Sequence, residues 1–114
     1  MNAEGTPMYK LVILIEQMDD PASFENTWPA FLHLAEDMPG LLRESFSRVD
    51  TVLFAQTHPY LIYELFFDSA ESAQAAMASP VGRKAGRLLQ QITGGRMSLF
   101  IADHKENSLD NLQK

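Results

Sequence analysis

The chain has 114 residues, a formal net charge of −6 at pH 7 and no cysteine. This length fits one domain with a moderate hydrophobic core. The acidic balance argues against a nucleic-acid or anionic-membrane role, because both usually require a basic surface. The lack of cysteine excludes disulfides, thiolate metal sites and a cysteine nucleophile. It also fits a cytoplasmic location, as does an amino-terminal segment that lacks the pattern of a signal peptide.

The first predicted strand is the β-branched run Tyr9–Glu16, which is apolar on both faces. A helix follows, because Asp20-Pro21 combines a capping residue with a proline at the first helical position. Apolar residues at spacings of three and four form one stripe along this helix: Phe24, Trp28, Phe31, Ala35 and Met38. Pro29 lies within the stripe and predicts that the helix is kinked or divided there.

Two further strands are predicted in the middle of the chain. The more polar one covers Leu41–Val49, with a bent continuation through Val52–Phe54 as an alternative. The other, Tyr60–Phe67, is apolar on both faces and contains one carboxylate, Glu64. Because residues alternate between the faces of a strand, the following are expected to share one face: Tyr60, Ile62, Glu64 and Phe66. A strand without a polar face needs cover on both sides.

A second helical region and a last strand complete the predicted elements. Asp68 and Glu71 have the spacing of a capping box, with Asp68 as the cap. The Ser-Pro pair at 79–80 restarts the helix, and the Gly-Gly pair at 94–95 ends it. The last strand is predicted over Arg96–Ala102.

The order β-α-β-β-α-β predicts a ferredoxin-like α+β fold, with a four-stranded antiparallel sheet and its helices on one face. The bare face of such a sheet would expose more apolar area than a monomer usually does. We therefore expect a homodimer in which two sheets pack face to face as a dimeric α+β barrel. The domain is expected to span residues 8–104, between a flexible lead-in at 1–7 and a polar tail at 105–114.

Four segments resemble the EthD-like branch of the dimeric α+β barrel superfamily. They are Tyr-Lys-Leu-Val-Ile-Leu at 9–14, Met-Pro-Gly-Leu at 38–41, Glu-Leu-Phe-Phe-Asp-Ser at 64–69 and Met-Ala-Ser-Pro-Val-Gly at 77–82. The resemblance implies a homodimer with a ligand-sized cavity between sheet and helices. Relatives have been linked to degradation of small organic compounds and to cofactor-free steps on aromatic polyketides, and many members have no known activity.

The first helix departs from the family's pattern. The family often has a histidine one turn after its tryptophan. Here Trp28 is followed one turn later by Leu32, and His33 is displaced by one residue. One residue rotates a side chain by about 100° around a helix, so the family's histidine is not carried over to His33.

Glu64 is the leading candidate catalytic residue. Its apolar neighbours on the strand predict desolvation, which would raise its pKa toward the range that suits a general acid or base. The alternative is a structural ion pair across the sheet with Arg48 or Lys10, which would keep the carboxylate ionised. His58 is the second candidate, as a proton shuttle at the mouth of the barrel, with an exposed turn histidine as the alternative.

The predicted ligand-binding residues are Trp28, Tyr60, Ile62, Phe66 and Arg48. The aromatic members can form a wall for a flat apolar ligand, or they can belong to the core. A cluster of cations, Arg83, Lys84 and Arg87, either binds an anion or forms a solvated helix face. The three histidines are far apart in sequence, so no metal site is expected.

The sequence is compatible with two functional classes. The first is a small cytoplasmic homodimer that binds a small apolar or aromatic molecule in its barrel, with no cofactor. As an enzyme it would act by proton transfer through Glu64, as a lyase, an isomerase or an oxygenase of an easily enolised substrate. The second is a non-catalytic ligand-binding or assembly module in which Glu64 is structural. Neither nucleic acid nor membrane is expected as a partner.

Overall fold

The computed structural model describes residues 8–107 and residue 109. The predicted lead-in at 1–7 lies outside this range, as does most of the predicted tail. The elements are β1 (Tyr9–Glu16), α1 (Pro21–Ala35), β2 (Arg43–Arg48), β3 (Pro59–Phe67), α2 (Ala70–Ala78), α3 (Pro80–Thr93) and β4 (Met97–Asp103). The strands form one antiparallel sheet in the order β2-β3-β1-β4, which confirms the ferredoxin-like fold. No helix within the described residues has the length and apolar character needed to cross a membrane.

The first helix begins as predicted and is continuous. The Asp20 carboxylate accepts a hydrogen bond from the Ser23 amide at 3.1 Å, which caps α1. Pro29 lies inside α1, so the predicted division of the helix does not occur. Trp28 and Phe31 flank the proline and are both buried. Their packing offsets the single hydrogen bond that a proline removes from a helix interior.

The cap of α2 differs from the prediction. Ser69, rather than Asp68, is the capping residue, because its extended backbone places its hydroxyl 3.0 Å from the Ser72 amide. Asp68 lies one residue outside the helix and accepts a hydrogen bond from the Ser72 hydroxyl at 2.8 Å. At the next junction Ser79 ends α2 and caps α3 by accepting from the Gly82 amide at 3.1 Å, as the Ser-Pro pair predicts.

The second strand is shorter than the longest version predicted from the sequence. Its pairing with β3 ends at Arg48, and the Val49 amide then donates to the Tyr60 carbonyl at 2.9 Å. The alternative continuation through Val52–Phe54 is wrong, since these residues lie in the following loop. Leu53 and Phe54 are 94 % and 89 % exposed, respectively.

The sheet has one face under the helices and one face free of them. Leu61, Tyr63, Leu65 and Phe67 of β3 are fully buried on the helix face, as their alternation predicts. We call the other face the open face. Its residues, read from the strand registers, are Lys10, Val12, Leu14, Arg43, Ser45, Ser47, Ile62, Glu64, Phe66, Ser98, Phe100 and Ala102.

Candidate functional site

Glu64 lies in the middle of the open face, opposite Val12 of β1 and Ser45 of β2. Its carboxylate accepts a hydrogen bond from the Lys10 ammonium at 2.6 Å and another from the Ser45 hydroxyl at 3.3 Å. The surroundings of Glu64 are therefore not wholly apolar. The geometry matches the ion pair with Lys10 that the sequence offered as one alternative.

Arg48 does not face Glu64, so its predicted place beside that carboxylate is wrong. Strand pairing sets Arg48 opposite Leu61, which is on the helix face. Its guanidinium forms a two-pronged ion pair with Glu25 of α1, through Nε at 3.0 Å and an Nη at 2.8 Å. The pKa of Glu25 is lowered because Arg48, and to a lesser extent Tyr60, donates a hydrogen bond to its carboxylate.

Tyr60 also lies on the helix side, against the alternation expected from the sequence. The pairing of β1 with β3 shifts at this point: Ile15 is opposite Leu61 and Glu16 is opposite Pro59. Tyr60 is the extra residue of a β-bulge, and a bulge re-aims the side chain that it carries. The Tyr60 hydroxyl donates to the Glu25 carboxylate, and this hydrogen bond is the main reason that the pKa of Tyr60 is raised.

Ile62 and Phe66 do share the open face with Glu64. Ile62 is half-buried, whereas Phe66 is already buried within the protomer. The Arg43 guanidinium lies 3.9 Å from the centre of the Phe66 ring, and the His104 imidazole stands edge-on to it at 4.9 Å. Phe66 is therefore covered by its own chain.

The other two predicted site residues lie apart from Glu64 and from each other. Trp28 is a core residue, stacked on Phe31 at 5.1 Å and edge-on to Tyr63 at 5.5 Å between ring centres. Its buried indole N–H has no hydrogen-bond partner among the described residues. His58 is exposed in the loop before β3. The structure thus brings together Glu64, Ile62 and Phe66 but separates them from the rest of the predicted set.

A polar cluster that sequence reasoning missed lies between α1 and β2. The buried Tyr63 hydroxyl donates to the Glu44 carboxylate, and burial first, then this hydrogen bond, raises the pKa of Tyr63 far above its ordinary value. A hydrogen bond with Glu44 is also the main reason that the pKa of Glu36 is raised. The alternation of β2, which sets Glu44 on the same face as the apolar Phe46, is the sequence signal that could have placed Glu44 on the helix side.

An apolar cavity of ≈ 160 Å³ lies between the sheet and the helices. Its lining residues are Leu11, Ile13, Phe31, Met38, Met77, Gly82, Arg83, Gly86, Leu89 and Leu99. A groove of ≈ 370 Å³ adjoins it and shares Arg83, Gly86, Leu89 and Leu99 with it. Arg83 is the ionisable side chain among the lining residues of the cavity. No residue from the predicted site set lines the cavity or the groove.

Several known proteins are similar to this chain in sequence or in fold. No family model matches the chain. An uncharacterised 11.0 kDa protein in the thcB-thcC intergenic region of Rhodococcus erythropolis is 24% identical over 99 residues, which are 86% of this chain and 96% of that protein. The crystal structure of an ethyl tert-butyl ether D (EthD) family protein from Bacillus halodurans matches with a TM-score of 0.78 and 28% identity, over 85% of this chain and 98% of that chain. The chain therefore resembles an EthD family protein in both fold and sequence.

More distant solved structures share the same fold. A dimeric ferredoxin-like protein of unknown function from Bacteroides fragilis has a TM-score of 0.64 and 14% identity, over 85% of this chain and 96% of its own. The hydroxynitrile lyase of Passiflora edulis has a TM-score of 0.71 and 8% identity, over 90% of this chain and 98% of its own. At these identities the likeness shows a common fold alone.

Proposed function

We propose that this EthD-like chain is a cytoplasmic homodimer whose two sheets pack face to face. Support comes from the open face, where Leu14 and Ile62 are half-buried and Phe100 is 48 % exposed. Apolar side chains clustered on an uncovered sheet face are typical of an interface. Solved structures with the same fold are described as dimeric.

We propose further that each protomer binds one small apolar or aromatic molecule in the cavity between sheet and helices. The observation that carries this proposal is the size and lining of the cavity. An apolar cavity of about 150 Å³ lined by Leu, Ile and Phe binds benzene, and the cavity here measures ≈ 160 Å³ and is lined mainly by Leu, Ile, Phe and Met. No carboxylate or imidazole lines the cavity. The lining residues therefore favour binding of a ligand over acid–base catalysis on it.

Methionine methyl resonances provide the test. Met38 and Met77 line the cavity, whereas Met18 lies outside it and is an internal control. Titrating toluene into protein with ¹³C-labelled methionine methyl groups should shift the Met38 and Met77 signals saturably and leave Met18 unchanged. In a Gly86→Phe variant the aromatic side chain would fill the shared mouth of cavity and groove, and the shifts should be lost. Equal shifts at all methionines, or none, would contradict the proposal.

A second candidate function is proton transfer by Glu64 on a ligand held between the two sheets. It is favoured by the position of Glu64 at the centre of the open face, next to Ile62 and Phe66, where a second sheet would enclose it. Desolvation by that sheet would strengthen the interactions of the carboxylate with Lys10 and with a bound ligand. A Glu64→Gln variant that remains folded and dimeric should lose any turnover found, whereas retained turnover would exclude this role.

A further inference from the structure

The cations of α3 differ from the other described cations in their lack of ion pairs. Outside this helix, each described lysine and arginine forms an ion pair with a carboxylate: Lys10, Arg43, Arg48, Arg96 and Lys105. Arg83, Lys84 and Arg87 form no ion pair with any described carboxylate. In a chain with a net charge of −6, three adjacent unpaired cations are a local concentration of positive charge.

Two of these cations border the apolar cavity. Arg83 lines both the cavity and the adjoining groove, and Arg87 lines the groove. One Nη of Arg83 donates to the Ala78 carbonyl at the end of α2, which holds the guanidinium at this position. A guanidinium has five N–H donors, so others stay available for an anion. The apolar cavity therefore lies beside the guanidinium of Arg83, which is held in position by its hydrogen bond.

Gly86 lines both the apolar cavity and the adjoining groove. It lies in the interior of α3, where glycine is the least favourable residue after proline. Apart from Gly86, its two chain neighbours and the adjacent backbone of α3, no described atom lies within 4 Å of the position that a Cβ would take there, so no close packing contact requires glycine. A side chain at position 86 would therefore occupy open space beside the cavity and the groove.

We propose that the ligand of this cavity is a small aromatic or aliphatic carboxylate. Its apolar body occupies the ≈ 160 Å³ cavity, and its carboxylate is bound by Arg83 and Arg87 in the ≈ 370 Å³ groove. The planar guanidinium fork matches a carboxylate with two parallel hydrogen bonds. This inference rests on the binding site proposed above and adds the chemical class of the ligand.

Three ring compounds of similar size separate charge recognition from apolar burial: benzoate, its neutral analogue benzamide, and the cation benzylamine. Calorimetry at pH 7 and low salt should show benzoate binding at least about tenfold more tightly than benzamide, because hydrogen bonds to charged groups are about twice as strong as neutral ones. Benzylamine should bind most weakly. Added salt should weaken the binding of benzoate and leave that of benzamide unchanged.

Charge-removing variants locate the anion site on α3. Arg83→Gln and Arg87→Gln should each reduce the affinity for benzoate by about fivefold or more and leave that for benzamide unchanged. Lys84→Gln is the matched control, since Lys84 lies on the same helix and lines neither the cavity nor the groove. All three residues are exposed, so the variants should stay folded, and Arg87→Gln keeps the test valid if losing the Ala78 contact destabilises Arg83→Gln.

The outcomes distinguish this inference from the function on which it rests. If benzoate and benzamide shift the Met38 and Met77 signals with equal affinity, and neither arginine variant changes that, the carboxylate inference is overturned and the apolar site stands. If toluene and all three ring compounds leave both methionines unshifted, the binding site and the inference both fail.

Discussion

Alanine substitutions at two glycines of α3 should change stability in opposite directions. Gly86 lies in the helix interior, and a Cβ there would have no described atom within 4 Å other than those of its chain neighbours and the adjacent backbone of α3. Alanine is favoured over glycine in a helix interior by about 1 kcal/mol, partly because glycine loses more backbone freedom on folding. Gly86→Ala should therefore raise the free energy of unfolding by about 1 kcal/mol.

Gly82 is surrounded by backbone atoms. A Cβ at this position would lie 2.1 Å from the Ala76 carbonyl oxygen and 2.7 Å from that of Met77, both at the end of α2. Backbone atoms cannot move aside as a side-chain end can, so α3 would have to shift away from α2. Overpacking of this kind costs up to about 3 kcal/mol, which exceeds the helix-propensity gain of about 1 kcal/mol. Gly82→Ala should therefore destabilise the protein by about 2 kcal/mol.

The assay is urea denaturation followed by circular dichroism, with all proteins at the same protomer concentration because the stability of a dimer depends on concentration. The two variants should differ by about 3 kcal/mol in the free energy of unfolding. The corresponding melting temperatures should lie roughly 10 °C apart, with the wild type between them. Changes of the same sign in both variants would refute the packing assigned to the α2–α3 junction.

The remaining predictions concern the interface and the carboxylates. Phe100→Asp should convert the dimer to a monomer of 12.8 kDa in sedimentation, while Leu53→Asp, in an exposed loop, should not; a dimeric Phe100→Asp variant would contradict the interface. Because the pKa of Glu25 is lowered, its ionised carboxylate stabilises the fold at pH values above the ordinary pKa of 4.5. This stabilisation is lost as the pH falls through the lowered pKa. Glu25→Gln should therefore flatten the acid side of a plot of melting temperature against pH. The pKa of Glu36 is raised, so its effect on stability has the opposite pH dependence. The protonated carboxyl group stabilises the fold below pH 4.5, and this stabilisation is lost as the pH rises through the raised pKa. Glu36→Gln should therefore be more stable than wild type at pH 7. Glu64→Gln should lower stability by up to about 1 kcal/mol, because Lys10 loses its counter-charge in a partly exposed pair, and an unchanged melting temperature would show that the pair is not structural.

The element order and the core could be predicted from the sequence because both follow from local patterns. The spacing of Phe24, Trp28 and Phe31 makes a helix stripe whose members are all buried. The two-sided apolar runs at Tyr9–Glu16 and Tyr60–Phe67 form the two central strands of the sheet, where each strand has a neighbour on both sides. Periodicity alone carries this information.

The candidate site was harder to predict, because it depends on how separate elements are aligned. Simple alternation predicts Tyr60 on the open face, and Arg48 was one of the two ion-pair partners expected for Glu64 across the sheet. A one-residue bulge in β3 directs the Tyr60 side chain to the helix side. The register in which β2 pairs with β3 sets Arg48 opposite Leu61, also on the helix side. No local pattern in the sequence specifies a bulge or a register between strands distant in sequence.

Although the resemblance implied a ligand-sized cavity between sheet and helices, the sequence does not specify which residues line that cavity. It is the volume left over where side chains of the sheet and three helices meet, so it depends on their packed arrangement. Gly86 contributes to it through the absence of a side chain. The cluster of Arg83, Lys84 and Arg87 could be identified in the sequence. Its position beside the apolar cavity could be identified only from the structure.

A crystal structure of the protein soaked with bromobenzene tests the central claim most directly. The anomalous signal of bromine reports the position of the ligand without ambiguity. We expect one bromine peak per protomer enclosed by Phe31, Met38 and Leu99, in a dimer whose open faces pack against each other. A bromine peak beside Glu64 between the two sheets, with the helix–sheet cavity empty, would contradict it.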